Sequence, residues 1–258
     1  MDCSHTFVVS AYGESSFLEE CISSLISQEE KSEIVVSTST PNDEIYDVSS
    51  KYGLSVRVRS GVPNIADDWN FAVSCAETDY VTVAHQDDVY APGYSRAAVS
   101  MLTAATKPLI YFSDYGEIRD GSNIVGSKLI RTKKRMMLPY RVASSSRVFK
   151  RLPISFGNPI CCPSVTYAIK NLPSPLFHSG FRSNLDWDAW ERFSRLDGSF
   201  VYDSHVRMYH RVHNGSETSA CIADNARTLE DLEMLERFWP KPIAKMINKA
   251  YSGAQKLN

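Results

Sequence analysis

Two adjacent carboxylates, Asp87 and Asp88, follow directly on the apolar run 80–84 in the segment Val83-Ala84-His85-Gln86-Asp87-Asp88-Val89-Tyr90. Like charges placed side by side at the end of a buried strand repel one another unless a cation is present. A hard divalent ion that keeps positions open for diphosphate oxygens meets that need. An Asp-rich turn capping the next helix is the plainer alternative. A second group is Asn184-Leu185-Asp186-Trp187-Asp188-Ala189-Trp190-Glu191-Arg192. On a helix Asp188 and Arg192 are four apart and pair on one face, and Asp186 at the helix start suits an N-cap. The two tryptophans suggest a partly apolar pocket, beside which a carboxylate gains a raised pKa and serves as a base. A third group, His210-Arg211-Val212-His213-Asn214-Gly215-Ser216, offers imidazoles for a metal and a guanidinium for a diphosphate. Structural roles would account for it as well. Its last three residues also match a glycosylation sequon, a common chance occurrence.

These groups require elements to carry them. Residues 6–10 (TFVVS) form a β-branched, apolar run, and Ser16-Phe17-Leu18-Glu19 reads as a capping box opening a helix. Leu18, Cys21, Ile22, Leu25 and Ile26 then share one helical face. A strand over 34–37 ends in Thr40-Pro41-Asn42-Asp43, and a helix runs to Tyr52 and stops at Gly53, where a left-handed residue is favoured. Residues 55–59 alternate as a strand. Residues 65–75 are helical, with Trp69, Ala72 and Val73 on one side. The run 80–84 (YVTVA) is continuously apolar, as in a strand covered on both faces. The pattern β-α-β-α-β-α-β predicts a mostly parallel open sheet whose ligands bind beyond the carboxyl ends of the strands. The segments after Ser10, Ser37 and Ala84 therefore share one rim.

The second half is less regular. A strand is expected at 108–114, a hairpin turn at Asp120-Gly121, a helix at 186–196 and short strands at 200–202 and 206–209. Helices broken at Pro240 and Pro242 are expected over 224–258. Residues 128–151 hold nine Lys and Arg and no acidic residue, and read as a mobile loop. Such a stretch suits a diphosphate or a phospholipid surface, and equally a solvated loop.

The 258 residues, 43% hydrophobic and 22% charged, fit an ordinary globular protein, and length alone allows one large domain or two small ones. A net charge of −2 gives no general field for nucleic acid. Six cysteines without a CxxC pair give no zinc framework and are expected to be free thiols. The start, MDCSHTFVVS, lacks a basic n-region and runs straight into a strand-like segment, and no stretch reaches the roughly 18 apolar residues of a membrane span. The expected location is the cytoplasm. Residues 236–249 mix lysines with Trp, Phe and Ile, which would suit peripheral contact with the inner face of an anionic membrane, or a helix packed on the domain.

In this order the segments resemble the family-2 glycosyltransferases, over about residues 5–217. Val8-Val9-Ser10-Ala11-Tyr12-Gly13-Glu14 and the following helix are similar to that family's first nucleotide-binding strand and helix. Residues 64–70 and 76–79, then YVTVAHQDDVYAP, resemble the approach to its metal-binding DxD motif. Leu185-Asp186 resembles its "ED" pair, and His210-Arg211-Val212-His213 its late R-x-H element. The resemblance implies an α/β fold: a single glycosyltransferase-A domain with a mostly parallel central sheet flanked by helices, plus C-terminal helices. The expected division is a catalytic domain over 1–219, with a nucleotide-sugar half to about 115 and an acceptor half after it, and a helical extension over 220–258. The implied activity is inverting transfer of a hexose from a nucleotide-diphosphate sugar, UDP-linked, to a hydroxyl of a glycan acceptor. A lipid-linked glycan in cell-surface polysaccharide synthesis would suit. Asp186 would be the catalytic base. Asp87, with Asp88 or His213, would hold Mg²⁺ or Mn²⁺. Arg211 would assist at the diphosphate, and Tyr12, Glu14, Ser39 and Asn70 would line the nucleoside pocket.

The chain departs from the family pattern at three points. Ser37-Thr38-Ser39-Thr40 replaces an Asp-Asp-Gly-Ser type motif, His85 replaces the first aspartate of DxD, and Leu185 replaces the glutamate of "ED". The lost aspartates keep open a non-catalytic, carbohydrate-binding or complex-forming subunit of the same fold. A sugar nucleotidyltransferase would need a basic loop after the first strand, and Ala11-Tyr12-Gly13-Glu14-Ser15-Ser16 has no basic residue.

Overall fold

The structure is a computed structural model that describes residues 4–213 and 226–255. One mixed sheet runs through it: β1 (His5–Ala11), β2 (Glu33–Thr38), β3 (Ser55–Val58), β4 (Tyr80–His85), β5 (Val89–Tyr90), β6 (Pro108–Arg119), β7 (Ser122–Ile124), β8 (Val165–Ala168) and β9 (Ser199–Arg211). The order is β3-β2-β1-β4-β8-β6-β9-β5, with β7 paired to β6. Strands β1 to β4 are parallel, β8 is antiparallel to both β4 and β6, and β6 and β9 are parallel again. The crossovers between the parallel strands are made by α1 (Leu18–Ile26), α2 (Asp43–Lys51) and α3 (Ile65–Ser74).

Alternation along the strands divides the core. Phe7, Val9 and Ala11 pack under α1 and α4 (Tyr94–Ala104), whereas Val8, Val81 and Val83 face α3 and α8 (Leu185–Ser194). Both faces are covered, so β1 and β4 are almost uniformly apolar. The buried polar residues of these strands, His5, Thr6 and Thr82, lie near the start of each and bond to one another or to neighbouring side chains. The buried His5 ring lies between Ser32 Oγ at 2.7 Å and Thr82 Oγ1 at 2.8 Å, and burial pulls its imidazole down to about 3.

Several expectations are corrected. The capping box does not form. Helix α1 is entered at Phe17 without a side-chain cap, and Glu19 pairs with Lys51 instead. The basic segment is helical: α5 (Lys128–Met136), α6 (Leu138–Val142) and α7 (Arg147–Ile154). Buried Ile130, Tyr140 and Ile154 anchor it, and Lys150 Nζ donates to the carbonyls of Leu196 and Gly198 at 2.6 and 2.8 Å. The two strands expected near 200–209 are one. Register shifts opposite Asp114 leave irregular pairing in its middle, which reads as a break in the sequence. The hairpin at Asp120-Gly121 is present, both residues having positive φ, 48° and 74°.

Helices α9 (Ala226–Glu236) and α10 (Lys241–Gln255) lie on the core: Met234, Leu235 and Ala244 are buried in it. Trp239 Nε1 donates to the Ser155 carbonyl at 2.7 Å, and the Phe238 ring lies under Arg151, 4.8 Å away. The aromatics that would anchor this segment in a membrane thus face inward, leaving Ile243 and Met246 among exposed lysines. No helix among the described residues is long and apolar enough to cross a membrane. The expected 219/220 boundary and the Asn214 sequon lie outside the described residues.

Candidate active site

The carboxyl ends of β1, β2 and β4 form one rim. Gln86 ties two of them: its Nε2 donates to the Tyr12 carbonyl and its Oε1 accepts from the Tyr12 N–H, both at 2.9 Å. The Gly13 N–H donates to Thr40 Oγ1 at 2.7 Å, linking the loops after β1 and β2. With its backbone fixed, Tyr12 leaves its ring 59% exposed on the rim, and Glu14 is exposed beside it. Ser39 Oγ donates to Asp68 Oδ2 at 2.9 Å, and Arg59 Nε donates to Asp68 Oδ1 at 2.6 Å. Helix α3 therefore brings a carboxylate beside the segment after β2, which contains none. Asn64 caps that helix by accepting from the Asp67 N–H, setting its start and hence the position of Asp68. Asp68 carries no signal in the sequence, because its approach to Ser39 spans two elements. Asn70 is engaged within the fold. Its amide donates to the Phe177 carbonyl at 2.8 Å and accepts from the Phe177 N–H at 3.0 Å, so it fixes the 176–178 segment rather than presenting a free amide to a nucleoside.

The acidic pair is held from β9, which runs beside β5 and brings His210 and Arg211 to Asp88. Asp88 is fully buried, and its Oδ1 accepts from the Arg211 N–H at 2.9 Å and meets His210 Nδ1 at 3.0 Å. Its Oδ2 is buried with no hydrogen-bond partner. Asp87 Oδ2 lies 3.0 Å from His213 Nε2. Ligand atoms of His85, Asp87 and Asp88 all lie within 4.8 Å of one another. Hard oxygens with one imidazole, and an orphaned carboxylate oxygen among them, fit Mn²⁺ or Mg²⁺. His85, which stands where the motif has its first aspartate, belongs to this trio, its ring stacked on Trp69 at 5.0 Å. His213 joins through Asp87. Burial works to raise the Asp87 carboxyl, but the charges of His85 and His210 and the His213 contact outweigh it and hold Asp87 below its ordinary range. Burial works to lower His210, and the Asp88 carboxylate overcomes it, so that imidazole is held above its usual value.

Arg211 is committed to the scaffold. Nε donates to the Asp87 carbonyl at 2.9 Å, Nη2 to Glu20 at 2.6 Å, and the guanidinium sits 4.4 Å from the Phe17 ring. It fixes the acidic loop to α1, which qualifies its expected contact with a diphosphate.

Asp186 opens α8. Oδ1 accepts from the Trp187 N–H and Oδ2 from Asn158 Nδ2, both at 2.7 Å. Burial pushes its carboxyl above the ordinary range, and these hydrogen bonds and the charges of Arg227 and Lys133 offset it only in part. Asn158 is placed by Gly157, whose φ of +148° brings the backbone under the Tyr251 ring, where a Cβ would lie 2.6 Å from a ring carbon. The tryptophans do not line a pocket: Trp187 and Trp190 are wholly buried, Trp187 Nε1 donating to the Ile154 carbonyl. Asp188 is a buried anchor between Arg192 at 2.9 Å and Arg237 at 2.5 Å, so the expected Asp188–Arg192 pair forms. The two carboxylate groups share one electrostatic field, for the Asp186 charge reaches His85.

No curated protein matches the sequence at a significant level. Solved structures do match the fold. The S. aureus TarS 1–349 fragment in complex with UDP-GlcNAc superposes with a TM-score of 0.63 at 15% identity, over 95% of this chain and 70% of that one. The mannosyltransferase PcManGT from Pyrobaculum calidifontis, in complex with GDP-Man and Mn²⁺, gives 0.66 at 15% identity, over 96% and 69%. Glucosyl-3-phosphoglycerate synthase from Mycobacterium tuberculosis, with Mn²⁺ and UDP-glucose, gives 0.57 at 16% identity, over 91% and 80%. The model of glycosyl transferase family 2 matches residues 6–153, more than half of the chain and the whole span from β1 through the acidic cluster to α7, and the protein belongs to that family.

Proposed function

We propose that this protein is an inverting hexosyltransferase that uses a nucleoside-diphosphate sugar, UDP-linked, and a hydroxyl of a glycan acceptor. One observation carries the reading. A carboxyl raised by burial, Asp186, lies near enough to the His85–Asp87–Asp88 trio for its charge to bear on the His85 imidazole. A base poised upward and a cation site for a leaving group are the two parts that displacement at an anomeric carbon requires. Of the three similar structures above, two hold a UDP-sugar and one GDP-mannose, which supports a nucleotide donor and favours uridine.

The acceptor oxygen would attack the anomeric carbon as its proton passes to Asp186. The bond from that carbon to the β-phosphate oxygen breaks, and the nucleoside diphosphate leaves with the electron pair. Asn158 and the Trp187 N–H aim the carboxylate. Asp87, Asp88 and His85 would hold the divalent ion, with His213 beside them, and the ion's chemistry is to neutralise charge on the departing diphosphate. Tyr12, Glu14 and Ser39, with Asp68, would border the nucleoside.

A thermal-shift series of UDP, GDP and their sugars with and without Mn²⁺ tests this. The expected result is a rise in Tm with UDP that depends on Mn²⁺. No response to any nucleotide would favour the non-catalytic subunit.

A further inference from the structure

Three half-buried cations on the neighbouring elements have carboxylate partners. Lys134 meets Asp114 at 2.7 Å, Arg151 meets Glu191 at 2.6 Å, and Arg207 meets Asp203 at 2.8 Å. Lys133 has none among the described residues, although it is half-buried. Its Nζ stands 5.4 Å from the centre of the Tyr115 ring. The placement is fixed, because α5 is seated by buried Ile130 and by the neighbouring Lys134–Asp114 pair. Strand pairing puts Tyr115 opposite Met208 and Glu117 opposite His210, so the ring that carries Lys133 flanks the end of β9 that holds Asp88. The ammonium charge bears on both Asp186 and His210. The ring face holds the ammonium in place by cation–π attraction and leaves its N–H groups for an anion.

We propose that Lys133 binds the donor's diphosphate, entering the site from the basic helix α5. The position favours the diphosphate over an acceptor's anionic group. A cation carried beside the end of β9 that holds Asp88 stands next to the acidic cluster on which a diphosphate would rest. This rests on the proposed nucleotide-sugar reaction. It gives the basic segment a role that neither its composition nor its helical form specifies.

Binding of UDP and of uridine, each with Mn²⁺, is measured by calorimetry for the wild type, Lys133→Gln, Lys133→Arg and Lys128→Ala. Lys128 is exposed on the same helix and serves as the control. Lys133→Gln should weaken UDP at least tenfold and leave uridine unchanged. Lys133→Arg should retain most of the UDP affinity, and Lys128→Ala all of it. Equal UDP binding by the wild type and Lys133→Gln would overturn the proposal and leave the nucleotide reading standing. Equal loss of UDP and uridine would also overturn it, since the effect would then be structural. A wild type that binds neither would remove both.

Discussion

The acidic cluster and the base are built from the same residue type, yet their surroundings drive them in opposite directions. Around Asp87 and Asp88 stand His85, His210 and His213, and Asp87 is held low. Around Asp186 stand a buried helix start, one amide and one backbone N–H, and burial holds it high. A carboxylate kept ionised suits a cation. A carboxylate pushed upward suits proton transfer. Environment, not residue identity, separates the two roles.

The comparison breaks most sharply at the base. Asp186→Asn should lower turnover by about 10³-fold while UDP binding persists, since one general base is worth roughly 10²–10⁴. Unchanged turnover in a steady-state assay would remove Asp186 from the chemistry. At the other pole, His210→Ala should cost roughly 10–100-fold in Mn²⁺ affinity by freeing Asp88 from an orienting partner, as read by a Mn²⁺ titration. Wild-type affinity would show that Arg211's N–H suffices to hold Asp88.

Asn158→Ala sharpens the contrast. The lost hydrogen bond favoured the charged carboxylate, so the Asp186 carboxyl rises further, and the acid limb of the rate profile should move to higher pH with the plateau less affected. An unmoved limb would assign that limb to another group.

The smallest effect concerns two histidines. His210, beside carboxylates, is raised, whereas His5, among hydroxyls, is pulled down to about 3 from 6.5. Between those two values the unfolded chain binds the proton that the folded one refuses. Stability is therefore lost as pH falls from 6.5 toward about 3, by roughly a few kcal/mol in all. Denaturant melts of wild type and His5→Gln should converge as the pH falls through that window. Parallel curves would exclude His5.

The first half of the fold was legible because each strand and helix announces itself locally. An example is the apolar run 80–84, or Gly53, whose φ of +66° closes α2 as its position predicts. The carboxylates of the site were legible for the same reason: they follow strand ends or open helices. Their partners were not. Asn158 meets Asp186 across 28 residues and His210 meets Asp88 across 122, and no periodicity encodes such distances. Nor does composition separate Trp187 and Trp190 in a core from tryptophans lining a pocket. The basic segment failed as a prediction because its helices are stabilised by a few buried anchors and not by a regular apolar face.

The sequence by itself determined the parallel half-sheet, the shared rim with Asp87 and Asp88 beyond the end of its strand, and Asp186 at a helix start. These follow from strand and helix periods and from where turns fall. Tertiary structure alone decided that Asp68 stands beside Ser39, that His85 joins the acidic trio, that Asn70 and Arg211 brace the frame, and that Asp186 is raised while Asp87 is lowered. Each of these depends on groups from separate elements meeting in a low-dielectric interior, where a few ångströms set both the hydrogen bonds and the charge.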